Sequence, residues 1–240
     1  GDAGTAIGAA AFAASKQSAP LKSAKHFFLG PKFTRNQCVE ACKGHREKPV
    51  WEILDDPHAK AVELLKAGEV IGWFRGRMEF GARALGNRSI LADPSQPGIA
   101  QRINKLVKFR ESWRPFSASL LESAADDYID RGKLNSHDEA MALSVKTTAK
   151  FREVYPDVVH VDGTARLQVV RDDNNADFHS LLSQFADATG QRLLINTALN
   201  RPGEALVCTP EDAINAFHGT DLNYLILGDL LVSKREEVEI

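Results

Sequence analysis

The sequence predicts an α/β protein: a twisted, mixed β-sheet flanked by helices, with a short helical segment at the N-terminus. Three observations carry this. Apolar runs of strand length recur at residues 70–74, 89–92 and 193–195. Amphipathic stretches of helical period lie between them, at 58–67 and 178–189. Glycines close those stretches at Gly68 and Gly190, just before the next apolar run, which is the punctuation of a helix-to-strand connection.

The elements follow in order. Asp2 and an alanine run read as a loop carboxylate entering a helix, which Ser18-Ala19-Pro20 ends. With no initiator Met, the chain reads as a piece cut from a longer protein. A Pro-containing linker leads to a helix over 34–45 with Thr34 as N-cap. Asp56-Pro57 opens the next helix, and residues 70–74 form a buried strand. A helix is expected over 97–107, a strand near 117–121, a short helix over 123–129, a polar turn over 131–138 and a strand over 141–145. Residues 162–170 read as a turn and a β-rich run, and 172–176 as a loop before the 178–189 helix. Thr209-Pro210 starts a helix that runs to His218, and 222–227 is a last strand.

Composition narrows the function. Net charge is −2, which argues against an overall basic field for nucleic acid. No apolar run approaches the roughly 18 residues that span a bilayer. Three cysteines, Cys38, Cys42 and Cys208, are too few and odd in number for a disulfide framework, so a cytoplasmic location is expected. Cys38 and Cys42 stand one helical turn apart, as a metal half-site or as two buried thiols; no matching pair follows, which favours the thiols.

The chain is organised around residues 72–94, where Arg75, Arg77, Arg83 and Arg88 sit on a glycine-punctuated connection between two strands. Arginine presents a rigid fork of donors suited to phosphate or carboxylate oxygens. Three more stretches place cations or amides beside strand ends: Lys108 to Arg114, Arg166, and Asn196-Thr197-Ala198-Leu199-Asn200. A polyanion needs this convergence, because one cation cannot neutralise a triphosphate. Neither a Walker loop nor a Gly-x-Gly-x-x-Gly is present, so side chains would have to hold any nucleotide. No nucleophile has a matched base: Thr197 and Ser89 lack one, and Lys108 is assigned to anion binding. Acyl-phosphate or nucleotidyl transfer, which relies on positioning and charge neutralisation, fits this inventory. Glu79 and Asp93 are candidates for holding magnesium, for orienting an arginine, or for an internal salt bridge. His58 and His218 read as surface or capping residues.

Arg75 through Pro94 resembles the signature of the O-carbamoyltransferases of nodulation-factor and antibiotic biosynthesis. Lys108-Phe109-Arg110-Glu111 with Trp113-Arg114-Pro115-Phe116, Asp162-Gly163-Thr164-Ala165-Arg166, and Asn196 to Asn200 with Gly203-Glu204 match its other blocks in order. The resemblance spans residues 1–232 and implies a division of the chain. Residues 1–20 would be the tail of an actin-like domain, 21–31 a linker, and 32–240 a YrdC-like domain. It implies that this domain binds carbamoyl phosphate and ATP with magnesium and forms carbamoyladenylate. The missing N-terminal domain would then pass the carbamoyl group to a substrate hydroxyl at an iron (Fe2+) site. Arg83, Lys108, Arg114 and Arg166 fall on carbamoyl-phosphate and nucleotide positions, Lys108 and Arg114 as the catalytic pair. Asn196 matches a binding asparagine, with Thr197, Arg77 and Arg88 beside these positions. Asp2 matches the aspartate of the iron site, whose other ligands lie upstream.

Ala82 stands where that family often has proline, and Ala198 where it usually has serine. The second change removes one possible donor to phosphate, worth about 1 kcal/mol. Two rival readings are a YrdC-like RNA- or nucleotide-binding module, which steep salt dependence would reveal, and a threonylcarbamoyladenylate synthase. The Asp2 block favours the carbamoyltransferase.

Overall fold

A computed structural model describes residues 3–17, 26–111, 113–130 and 139–234. Helix α1 (Ala3–Lys16) is alanine-rich and leaves most of its side chains exposed, Phe12 among them. Asp2, the helix stop expected at Ser18-Ala19-Pro20, residues 21–25 of the expected linker and the polar turn expected at 131–138 lie outside the described residues.

Helix α2 (Arg35–Gly44) starts at Thr34 with a full capping box closed by Gln37. Cys38 and Cys42 lie on its inward face, and burial pushes their thiols up to about 11 and about 12. They are the inert core thiols the spacing favoured. Strand β1 (Val50–Ile53) precedes α3 (Pro57–Lys66), where the Asp56 carboxylate accepts from the backbone N–H groups of His58 and Ala59 at 2.9 and 3.0 Å. Next come β2 (Ile71–Phe74), β3 (Arg88–Ala92) and α4 (Ile99–Ile103), which continues as one π-helical turn, Asn104–Lys108. Strand β4 (Ala118–Leu121) leads into a 3-10 turn and α5 (Ala125–Tyr128). A two-stranded pair, β5 (Val145–Lys146) with β6 (Thr164–Ala165), flanks α6 (Ala149–Val154). The chain finishes with β7 (Leu167–Val170), α7 (Asp172–Thr189), β8 (Leu193–Ala198), α8 (Pro210–His218), β9 (Tyr224–Leu227) and β10 (Leu230–Ser233).

Eight strands form one mixed sheet in the order β1-β10-β9-β2-β3-β8-β4-β7. The β2–β9 and β4–β7 pairs are parallel and the rest antiparallel. Side chains alternate across it. Ile71, Trp73, Leu91 and Leu194 face α3 and α7, whose Leu65, Leu181 and Phe185 cover them. Phe74, Ile90, Leu120 and Ile195 face the opposite layer, with Ile103, Ile214 and Phe217.

Several expectations need correction. The helix expected over 97–107 is a short α-helix ending in a π turn, and the strand expected over 141–145 is reduced to β5. The loop expected at 172–176 belongs to α7, which kinks at Asn175 (φ −144°, ψ 78°). The kink frees the Asn175 amide to donate to Asn87 Oδ1 at 2.9 Å. Strands β1 and β10 escaped the sequence reading, β1 because it is an edge strand with three exposed residues of four.

Candidate functional site

Register decides which strand ends meet. Phe74 pairs with Arg88, Ser89 with Ala198, and Ala118 with both Ile195 and Leu167. The C-terminal ends of β2 and β8 and the N-terminal ends of β3, β4 and β7 therefore share one end of the sheet. All four polar stretches emerge there. The four segments, far apart in sequence, are thus gathered at one end of the sheet.

Within the Arg-rich connection, the four arginines have different jobs. Arg75 is a clamp. It donates to both Asp177 oxygens at 2.9 Å, to Asp229 Oδ1 at 3.1 Å and to Gly228 O at 2.6 Å, tying β2 to α7 and to the β9–β10 turn. Asp177 also meets His58 Nε2 at 3.2 Å, and Asp229 meets Arg35 at 2.9 Å. Burial would raise the Asp177 carboxyl, but hydrogen bonds from His58 and Arg75 outweigh it and hold the group far below the usual carboxylate range. Its folded pKa is depressed, so this stability is complete above the unfolded value near 3.9 and is lost as pH falls below it. We expect Arg75→Ala to lower stability by about 2–3 kcal/mol in urea titration, since it takes the shared partner from two partly buried carboxylates and leaves them only His58 and Arg35. A loss under about 0.5 kcal/mol would refute the clamp.

Arg88 is enclosed, with 0% exposure. Its guanidinium lies 3.7 Å from the Phe74 ring centroid and donates to the carbonyls of Arg75 and Asn87, both at 2.9 Å. Arg77 donates to the carbonyls of Phe28 and Leu29 at 3.3 and 3.2 Å. Both hold backbone, Arg88 that of its own connection and Arg77 that of the preceding 28–29 segment, while Arg88 Nε is buried without a hydrogen-bond partner.

Arg83 sits on the exposed tip of the connection. Desolvation, and then the charge of Arg166, pulls its pKa down. The base of this loop is rigid. Glu79, 2% exposed, accepts through Oε1 from the backbone N–H groups of Leu85, Asn87 and Arg88 at 2.7, 2.8 and 3.1 Å. Asp93 accepts from Ser95 N and Oγ at 2.9 and 2.7 Å. Both acids thus bond backbone, and Asp93 a neighbouring side chain too, a role the sequence did not suggest, and Glu79 Oε2 is buried with no hydrogen-bond partner. Arg166 precedes β7, and its Nε is buried without a protein partner.

Lys108 closes the π turn. Its Nζ donates to Ala198 O at 2.6 Å and to Asn200 Oδ1 at 2.7 Å, pinning the turn to the end of β8. Burial, then the charge of Arg110, lowers its pKa to about 7. Phe109 follows with φ +45°, a left-handed conformation for a bulky residue, and is exposed, as is Trp113. Arg114 is exposed and faces Glu111 at 3.6 Å. Asn196, 1% exposed, and Ala198 share the α7 face of β8, while alternation turns Thr197 to the other face.

Sequence reasoning missed Ser119 and Gln168, which lie on that same face beside Asn196. Both are polar positions inside otherwise apolar strands, a signal that was present at 118–121 and 167–170. A cavity of about 800 Å³ opens elsewhere, between the end of α2, residues 201–208 and α8. Its wall mixes charges, with Arg201 paired to Glu204. It does not include Arg83, Lys108 or Arg166.

Comparison with known proteins decides the family. Residues 62–234 match the model of the carbamoyltransferase C-terminus. The chain belongs to that family. It is 40% identical, over 98% of its length, to nodulation protein NolNO of Sinorhizobium fredii, of which it covers 35%. It is 34% identical, over 75% of its length, to the 3'-hydroxymethylcephem-O-carbamoyltransferase of Streptomyces clavuligerus, of which it covers 33%. The chain thus spans about a third of these relatives. Among solved structures it resembles T. kodakarensis HypF at a TM-score of 0.52 and 16% identity, over 75% of this chain and 21% of that one, a likeness of fold alone. The mixed sheet flanked by helices is the YrdC-like architecture expected of this carbamoyltransferase domain. No described helix is long and apolar enough to cross a membrane.

Proposed function

We propose that this carbamoyltransferase domain binds carbamoyl phosphate and ATP at the cationic end of its sheet and forms carbamoyladenylate. The observation that carries the reading is the convergence of Arg83, Lys108, Arg166 and Asn196 from four distant segments. Water splits carbamoyl phosphate into carbamate and inorganic phosphate, and a carbamate oxygen then attacks the α-phosphorus of ATP and expels pyrophosphate, so phosphate and pyrophosphate are both products. Arg83 and Arg166 offset the negative charge of the phosphates, and the partnerless Nε of Arg166 fits an incoming oxyanion. Lys108 and Arg114 grip carbamoyl phosphate. Magnesium, when bound with ATP, would lend charge to the departing phosphate oxygens. Among the described residues no three His, Cys, Asp or Glu side chains cluster as a metal cage. That suits an ion carried in on phosphates and water.

In the complete protein, an upstream domain passes the carbamoyl group to a hydroxyl-bearing small molecule, with α1 belonging to that upstream part and Asp2 to its iron site. The test is pyrophosphate release by the full-length protein given carbamoyl phosphate and ATP. Arg166→Ala should raise KM for ATP about tenfold or more, as loss of one charged hydrogen bond predicts. Unchanged kinetics in that variant would remove Arg166 from the site.

A further inference from the structure

Three buried polar side chains meet on the α7 face of β8, β4 and β7: Ser119 stands directly opposite Gln168, and Asn196 lies diagonal to Ser119, one step along β8 from its direct partner Leu194 on that face. Gln168 Nε2 donates to the backbone oxygen of Leu85 at 2.9 Å. A carbonyl can only accept, so this contact settles the orientation of the Gln168 amide. Its Oε1 must then face the other way, where it accepts from Ser119 Oγ at 2.6 Å and from Asn196 Nδ2 at 3.3 Å. Ser119 has spent its proton on Gln168, so its oxygen accepts from Asn196 Nδ2 at 2.9 Å. Every donor and acceptor in the cluster is thereby assigned from one backbone carbonyl outward. What remains is Asn196 Oδ1, a buried acceptor with no partner.

Leaving such an oxygen dry is costly, and fixing its direction through two further residues is a strong constraint. We propose that Gln168 and Ser119 are positioning residues that present Asn196 Oδ1 to an N–H donor of the substrate, making this oxygen the selector for a carbamoyl over an acetyl group. The inference rests on the proposed carbamoyl-phosphate site. The two acyl phosphates have nearly the same shape and charge. They differ in an NH2 that can donate and a CH3 that cannot. A neighbouring cation supplies no such discrimination, since Arg83, Lys108 and Arg166 hold only donors. The Leu85 carbonyl also belongs to the Glu79-pinned base of the Arg83 loop, so the same rigid segment sets both the cation and the selector.

The test compares dissociation constants of carbamoyl phosphate and acetyl phosphate for the full-length protein by calorimetry. The natural protein should prefer carbamoyl phosphate by about tenfold to a hundredfold. Asn196→Leu should weaken carbamoyl phosphate and leave acetyl phosphate within about twofold, collapsing the preference. Ser119→Ala and Gln168→Met should reduce the preference in the same direction, with thermal midpoints checked alongside. Because the ratio in the natural protein needs no variant, misfolding of any one of them does not shield the idea. If both compounds bind equally well to the natural protein, the selector is refuted while the anion site stands. If neither binds, the site and the selector fall together. A preference that survives in all three variants also overturns the inference.

Discussion

Lys108→Ala is expected to cut carbamoyladenylate formation by about 10²–10³-fold, the usual cost of removing a preorganised charge stabiliser. The reason is geometric. A π-helical turn is a costly local structure, and this one ends on a left-handed Phe109. Its outcome is a lysine ammonium held between Ala198 O and Asn200 Oδ1, at the end of the strand that carries Asn196. Pyrophosphate release by the full-length protein is the measurement; activity within about threefold of normal would remove Lys108 from the mechanism. The same residue predicts a pH dependence. Its pKa, lowered to about 7, means that the ligand-free site loses this positive charge as pH rises through that value. Affinity for carbamoyl phosphate should therefore fall between pH 6 and pH 8.5, and Lys108→Arg should flatten the profile, because arginine keeps its charge. A bound anion favours the ammonium, so the fall starts near the ligand-free value and extends to higher pH. The linkage to stability runs the opposite way. The unfolded chain binds the proton up to about pH 10 and the folded one only to about 7, so this residue makes folding more favourable as pH rises across that window.

Gly86→Ala is expected to destabilise the domain by about 3 kcal/mol or more, with a thermal midpoint about 6–12 °C lower. Gly86 has φ +101°, which a β-carbon disfavours. A β-carbon there would also lie 2.1 Å from Cδ1 of Phe178, a wholly buried residue of α7. The carbonyl of Gly86 accepts from the buried Trp73 indole at 2.9 Å, so the backbone has no room to retreat. Adding Phe178→Leu should recover part of the loss, the share due to the clash, and leave the share due to the backbone angle. A single Gly86→Ala variant melting within about 2 °C of the natural protein would show that the ring yields.

These predictions separate what was legible early from what was not. The helices announced themselves locally: Thr34, Asp56 and Thr209 cap where the sequence indicates, because a cap is satisfied within three or four residues. The buried strands β2, β3 and β8 were equally plain as apolar runs. Strand β1 was not, since its pairing to β10 joins residues from distant parts of the chain, Val50 with Ser233, and its side chains are mostly exposed. The kink at Asn175 was invisible for a similar reason: its amide answers Asn87, a residue on another element.

The polar chemistry divides along the same line. Sequence alone determined which residue types are available, four cationic or amide-bearing stretches at strand ends, and the family blocks they compose. It had no means of ranking the arginines. Arg75, Arg77, Arg83 and Arg88 look equivalent in a row, and only the folded chain sends Arg75 to two aspartates, Arg77 and Arg88 to carbonyls, and leaves Arg83 exposed at the tip. A guanidinium binds whichever acceptors tertiary packing brings within hydrogen-bond distance, and those acceptors come from residues far away along the chain. Ser119 and Gln168 acquire meaning in the same way, because three strands must stand side by side before one backbone carbonyl can orient an amide two strands away.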